Sequence, residues 1–222
     1  DTLESTSRYM GKRIMNISDS GDRIILYYHS NETRYEVLDF RSDVVYTRTV
    51  DFSFTPPMAV FLSEDKILIR SGLGSDHYTI SDLTKGKDFN IRSVYARKVF
   101  LLDDDNILLV ASRLYILTIS SGALKDTGID VRFEENFHRI SDKTFSNLED
   151  NEIVVYRLNK EMNISRYKTY DIFDGVIIDY IMHRNAIYFI GSINEKHKLY
   201  KYDNKVEPIV DLSPNSSILY QD

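Results

Sequence analysis

The chain has 222 residues, 42% of them hydrophobic and 12% aromatic, and its 28 Lys and Arg against 34 Asp and Glu give a formal net charge of -6. This composition supports a buried core and excludes general disorder, while the negative charge disfavours nucleic acid, whose phosphates it would repel. No apolar window reaches the length of a membrane span, and the absence of Cys excludes disulfides and thiolate metal sites.

One short phrase recurs five times: a turn with acidic or amide residues, followed by an Ile that opens an apolar run. The copies are Gly21-Asp22-Arg23-Ile24, Glu64-Asp65-Lys66-Ile67, Asp104-Asp105-Asn106-Ile107, Asp150-Asn151-Glu152-Ile153 and Arg184-Asn185-Ala186-Ile187. Successive Ile residues are 43, 40, 46 and 34 positions apart, close to the roughly 40 to 50 residues that four strands of a propeller blade occupy. We therefore predict one sheet per repeat.

Each repeat has the pattern of four strands. The apolar runs on either side of the phrase predict a hairpin. A third, Tyr-rich run follows, and in four copies it ends in Asp, whereas the third copy has Thr118 there; the four are Asp39, Asp82, Asp171 and Asp203. A turn and a more polar fourth strand complete the unit. We predict one all-β domain over residues 1–222, mostly strand and without a long helix, with sheets at 12–50, 58–92, 97–132, 140–179 and 180–212.

A third strand that ends in Asp and is followed by a turn resembles the repeats of the WD-repeat and related β-propeller superfamily. The resemblance covers Arg13 to Leu212 and implies a β-propeller of about five four-stranded blades. It concerns architecture alone, because no Trp precedes the Asp and no Gly-His pair opens the repeat. Part of a larger propeller and a two-sheet β-sandwich are the alternatives.

The repeated Asp residues have two interpretations. A carboxylate at the same place in several blades is expected to accept backbone N–H groups in a turn. The alternative is a group of acids and Tyr side chains at the central mouth of a propeller that binds or hydrolyses sugars. The run Asp103-Asp104-Asp105-Asn106 offers oxygen ligands, but it lies on a predicted hairpin turn, where Asp and Asn are favoured for backbone reasons.

The segment Asn159 to Asn163 is interpreted as the longest connection between a second and a third strand. It places an apolar Met among charged residues, and loops on one rim are where repeat proteins usually carry function. Asn159, Lys160 and Met162 are therefore the predicted partner contacts.

We predict a non-catalytic protein-interaction or scaffold module that presents the rim loops of a β-propeller. Its partner would be another protein or the remainder of the parent chain, and no catalytic residue, cofactor, metal, membrane span or nucleic acid is expected. The alternative is a carbohydrate-active or carbohydrate-binding propeller, with a sugar or other small molecule as ligand. The compartment is left open.

Overall fold

The computed structural model describes residues 12–29, 33–39, 44–50, 58–70, 77–132, 134–183, 186–213 and 218. Over these ranges the protein is 69% strand, and helical geometry is limited to the three-residue 3₁₀ turn Glu134–Asn136. The predicted all-β class is confirmed. No helix in the described ranges is long and apolar enough to cross a membrane.

Within the described ranges the strands form five sheets of four, and within each sheet the strands pair antiparallel in chain order. The first sheet contains β1 (Arg13–Ile17), β2 (Arg23–His29), β3 (Thr33–Asp39) and β4 (Val44–Val50), and the second contains β5 (Ala59–Ser63), β6 (Lys66–Arg70), β7 (His77–Asp82) and β8 (Lys87–Arg92). The third contains β9 (Lys98–Leu101), β10 (Asn106–Val110), β11 (Arg113–Thr118) and β12 (Leu124–Asp130). The fourth contains β13 (His138–Ser141), β14 (Thr144–Glu149), β15 (Glu152–Leu158) and β16 (Ile164–Tyr170), and the fifth contains β17 (Val176–His183), β18 (Ala186–Ile193), β19 (Lys196–Tyr202) and β20 (Val206–Leu212). Five separate sheets exclude the two-sheet sandwich.

The chain divides into two compact units, Asp1–Leu101 with Ile119–Ala123 and Leu102–Thr118 with Leu124–Asp222. In each unit, two consecutive sheets bury alternate β-branched and aromatic residues against each other, the arrangement that period-2 patterning favours. In the first unit the buried cluster is Ile25, Tyr35, Val37, Val50, Ala59, Ile67 and Ile69. In the second it is Leu148, Ile153, Ile177, Tyr180, Ile187, Phe189 and Tyr200.

The fourth repeat differs from the prediction by one strand. Asp150 and Asn151 form the turn between β14 and β15, the second and third strands of the sheet, rather than between the first and second. Both residues have positive φ, 48° and 72°, as a two-residue hairpin turn requires. The turn between β13 and β14, at Asp142 and Lys143, also contains an Asp, and the sequence phrase did not distinguish the two turns.

With the fourth repeat corrected, Phe145 takes the place of the repeated Ile, since it is the second residue of β14. The five positions are then 24, 67, 107, 145 and 187, at intervals of 43, 40, 38 and 42. The short fifth repeat disappears. The fourth sheet begins at His138, and the boundary drawn at 179 and 180 falls inside β17, because that strand starts at Val176.

Candidate functional site

Asp82 closes the turn that follows β7, as predicted for the repeated Asp. Its Oδ1 accepts hydrogen bonds from the backbone N–H groups of Lys85 at 2.9 Å and Thr84 at 3.1 Å, and from the Thr84 hydroxyl at 2.8 Å. The Lys85 N–H and then the Thr84 hydroxyl stabilise the ionised carboxylate, and they lower the pKa of Asp82 to about 2. This carboxylate therefore organises the backbone.

Asp171 and Asp203 do not share this arrangement in the described part of the chain, and the turn after Asp39, at 40–43, is outside that part. Asp39 ends β3 with its Oδ2 3.9 Å from Arg23 Nε. Asp203 Oδ2 lies 3.5 Å from Lys201 Nζ. Asp171 is exposed and follows β16, the fourth strand of its sheet, so its assignment to the end of a third strand was wrong.

We predict that Asp82 contributes to stability at neutral pH and that acid removes this contribution. Because its folded pKa of about 2 lies below the ordinary 3.8, the stabilisation is present above pH 3.8 and is lost as the pH falls toward 2. Thermal unfolding of Asp82→Ala should show a melting temperature a few degrees below wild type at pH 7, with a gap that narrows in acid. The melting temperature of Asp82→Asn, which retains the acceptor oxygen, should fall between those of wild type and Asp82→Ala. If the melting temperatures of all three proteins changed with pH in parallel, the stabilising role of the Asp82 carboxylate would be contradicted.

The acidic run at 103–106 also forms a turn. Asp103 Oδ1 accepts hydrogen bonds from the backbone N–H groups of Asp105 and Asn106, both at 2.9 Å. Partial burial raises the pKa of Asp103, but these hydrogen bonds outweigh it and the pKa is lowered. Over the described ranges, no three His, Asp or Glu side chains are grouped as a metal ion would require.

The predicted contact segment, Asn159 to Asn163, is an ordered turn between β15 and β16, and thus between a third and a fourth strand. Asn159 Oδ1 accepts hydrogen bonds from the N–H groups of Glu161 at 3.0 Å and Asn163 at 2.9 Å. Met162 adopts a φ of 55° and donates its N–H to the Asn159 carbonyl at 3.3 Å. The Asn side chain replaces backbone turn contacts, which gives the segment a defined shape.

A lysine of the third sheet anchors this turn. Lys125 of β12 donates from Nζ to the Met162 carbonyl at 3.0 Å and to Asn163 Oδ1 at 2.7 Å. Met162 is half-buried, whereas Lys160 is exposed. The turn therefore holds a lysine in solvent on a fixed backbone.

β16 adds a cationic and aromatic surface beside the turn. Five successive residues of this strand, 165–169, are exposed. The Arg157 guanidinium lies 3.7 Å from the centroid of the Tyr167 ring, and Tyr167 is 57% exposed. Lys168 Nζ lies 4.1 Å from the centroid of Tyr170, and the hydrogen bond between these two side chains raises the pKa of Lys168. Such cation–π contacts hold flexible basic side chains in place.

We name Arg157, Lys160, Tyr167 and Lys168 the cationic edge. The segment 157–168 has four basic residues and one acidic residue, in a protein of net charge -6. One of the basic residues, Arg166, pairs with Glu149. Among the described residues, Arg157, Lys160 and Lys168 lie within ion-pair distance of no carboxylate. Three basic groups are thus available to an external partner.

The sequence prediction included Lys160 but missed Arg157, Tyr167 and Lys168. The signal was the interleaving of basic residues and Tyr in β16, whose apolar residue is Ile164 at its start. This signal was missed because the predicted fourth repeat was shifted by one strand, so that β16 was taken for a third strand. A third strand is expected to be covered on both faces, whereas a fourth strand is an edge.

Comparison with solved structures identifies the class of fold. Kluyveromyces lactis Hsv2 matches with a TM-score of 0.59 and 10% identity, over 90% of this chain and 63% of that one. The N-terminal domain of Nup159 matches with a TM-score of 0.57 and 11% identity, over 91% of this chain and 62% of that one. A solved S. cerevisiae assembly has Dbp5 bound to Nup159 and Gle1. A structure of prolyl endopeptidases matches with a TM-score of 0.60 and 10% identity, over 91% of this chain and 36% of that one.

The chain has a β-propeller fold, the fold of Hsv2 and of the Nup159 domain. It spans less than two thirds of the length of these chains. No protein-family model matches the sequence, and the search of curated proteins found no match. At 10 to 11% identity, the similarity concerns the fold.

Proposed function

We propose that this chain is a non-catalytic protein-interaction module, in which the propeller sheets hold the hairpin of β15 and β16 against a protein partner. The partner is a separate protein or the remainder of the parent chain. The observation that carries the proposal is the cationic edge, where Arg157 on β15, Lys160 on the capped turn and Lys168 on β16 have no carboxylate partner among the described residues. A preformed surface of this kind needs little ordering on binding, which favours affinity.

Charge and chemistry support a protein as partner. A net charge of -6 repels the phosphates of nucleic acid at longer range, whereas a local basic surface steers an acidic protein surface into place. Exposed Tyr and Arg side chains are enriched at protein interfaces because they combine apolar area with hydrogen bonding. A fold relative, Nup159, occurs in a solved assembly with Dbp5.

The test is affinity capture with the intact chain from an extract of the source organism, followed by titration calorimetry with each recovered protein produced separately. The expected result is one partner that binds saturably in a fixed molar ratio. The carbohydrate alternative is tested in parallel with a glycan array and a panel of glycosides. Saturable sugar binding or glycoside turnover, without any protein that binds in a fixed ratio, would overturn the proposal.

A further inference from the structure

β16 is an edge strand whose second side is open in the described part of the chain. It stands at the end of the order β13-β14-β15-β16 and pairs with β15 alone. An exposed edge presents backbone N–H and C=O groups to which an extended segment of another chain can pair. The five exposed residues at 165–169 correspond to the usual length of one strand.

The other strands in the corresponding position are less suited to accept a segment. β20 contains Pro208, which has no N–H to donate, and in β12 Asp126 and Asp130 carry negative charges that pair with Arg113. β4 and β8 are joined by an ion pair between Arg48 and Asp88. β16 contains neither Pro nor Gly.

The side chains of this edge select the charge of the segment. Two copies of the cationic edge would repel each other, so pairing between identical chains is disfavoured, while a segment with carboxylates is attracted. The guanidinium of Arg157 covers the Tyr167 ring, and a stacked guanidinium can still direct its N–H groups sideways to both oxygens of a carboxylate. Lys160 and Lys168 supply two further charges at the turn and along the strand.

The bulge in β16 orients these groups. Val155 pairs with Lys168 and Tyr156 pairs with Arg166, so Tyr167 is an extra residue on β16. An extra residue increases the local twist and redirects a side chain. Here Tyr167 contacts Arg157, and Arg166 pairs with Glu149, which leaves Arg157, Lys160 and Lys168 for an external ligand.

We propose that the cationic edge binds an extended acidic peptide segment, which aligns with β16 and places its carboxylates on Arg157, Lys160 and Lys168. This inference rests on the proposed function and specifies the chemistry of the partner. It commits to an acidic peptide, and single-stranded RNA and anionic membranes, which basic and aromatic surfaces also bind, are the competing outcomes of the test.

The experiment uses the full chain and a fluorescent peptide of about eight residues that alternates Glu with Thr, a length typical of one strand. The edge variant is R157Q/K160Q/K168Q, and the matched control is R13Q/K87Q/K196Q, which removes one Arg and two Lys that are exposed elsewhere. Fluorescence anisotropy should show binding to wild type and control, and binding weaker by about tenfold or more in the edge variant, as three partly exposed charge pairs predict. Affinity should fall as ionic strength rises.

Three further probes make the outcome decisive: the peptide with Gln in place of Glu, oligouridylate of similar length, and vesicles containing phosphatidylserine. The Gln peptide should bind weakly, and bound acidic peptide should protect the β16 amides from hydrogen exchange. Equal binding to the edge and control variants, or tighter binding of oligouridylate or vesicles than of the peptide, would overturn the inference. A protein partner that binds the edge and control variants equally well would overturn this inference and the use of the cationic edge, while a protein-interaction module that binds through another surface would stand.

Discussion

Gly191→Ala is expected to destabilise the protein by about 2 kcal/mol, because it overpacks an aromatic cluster in the fifth sheet. A Cβ at this position of β18 would lie 2.5 Å from Phe173 Cε1 and 2.9 Å from Tyr200 Cε2. The centroid of the Phe173 ring lies 5.2 Å from that of Phe189 and 4.8 Å from that of Tyr200. The Phe173 ring therefore cannot move away without disturbing two other rings. Glycine at 191 is therefore required by the close approach of a ring to the strand.

Thermal and urea unfolding measure this effect, with a second substitution as the control. Phe173→Leu alone should also destabilise, since it removes ring contacts, but it makes room for the new methyl group. The double variant G191A/F173L should therefore be more stable than the sum of the two single effects predicts, which is the signature of directly coupled positions. Additive effects, or a G191A protein as stable as wild type, would contradict the packing of Phe173 on this strand.

Glu149→Ala is expected to cost about 2 kcal/mol or more, because it leaves buried donors without an acceptor. Glu149, only 8% exposed, accepts hydrogen bonds from the Tyr156 hydroxyl and from Arg166. Asn147 Nδ2 lies 3.5 Å from the same carboxylate. Tyr156 and Asn147 are 0% exposed, and Asn147 Oδ1 already has no hydrogen-bond partner among the described residues. Burial and then the Glu149 hydrogen bond raise the pKa of Tyr156, so its hydroxyl stays a donor.

Two variants separate the charge of Glu149 from its hydrogen bonds. Glu149→Gln keeps an acceptor of the same size and should cost less than Glu149→Ala, while Tyr156→Phe removes one donor and should cost about 1 kcal/mol. Urea unfolding at neutral pH gives the three free energies. If Glu149→Ala and Glu149→Gln were both as stable as wild type, the hydrogen bonds of Glu149 would be unnecessary for stability. Because Arg166 is largely exposed, its salt bridge is expected to contribute little.

The sequence prediction was right for the all-β propeller class and wrong for the phase of the fourth repeat. The hairpin phrase identified the first turn in four sheets, since acidic and amide residues favour tight turns there. In the fourth sheet, acidic and amide residues occur one hairpin later, at Asp150 and Asn151, both of which have positive φ. Apolar patterning did not correct this, because β14 and β15 are both buried runs that fit a first and second strand as well as a second and third. Only pairing partners, such as Thr144 with Arg157, define which strand is second.

The candidate surface shows the same division between local and tertiary information. Short-range chemistry determined the turn at Asn159 and the capping role of Asp82, because a side chain that accepts N–H groups two to four residues ahead acts within one segment. The cationic edge depends on position in the sheet, since β16 is exposed as an edge strand and Arg157 meets Tyr167 across two strands. The close approach of Phe173 to Gly191 and the network around Glu149 also join residues of different strands or loops. Composition and periodicity therefore determined which strands form, and the tertiary structure decided which side chains remain available to a partner, because exposure depends on what the neighbouring strands cover.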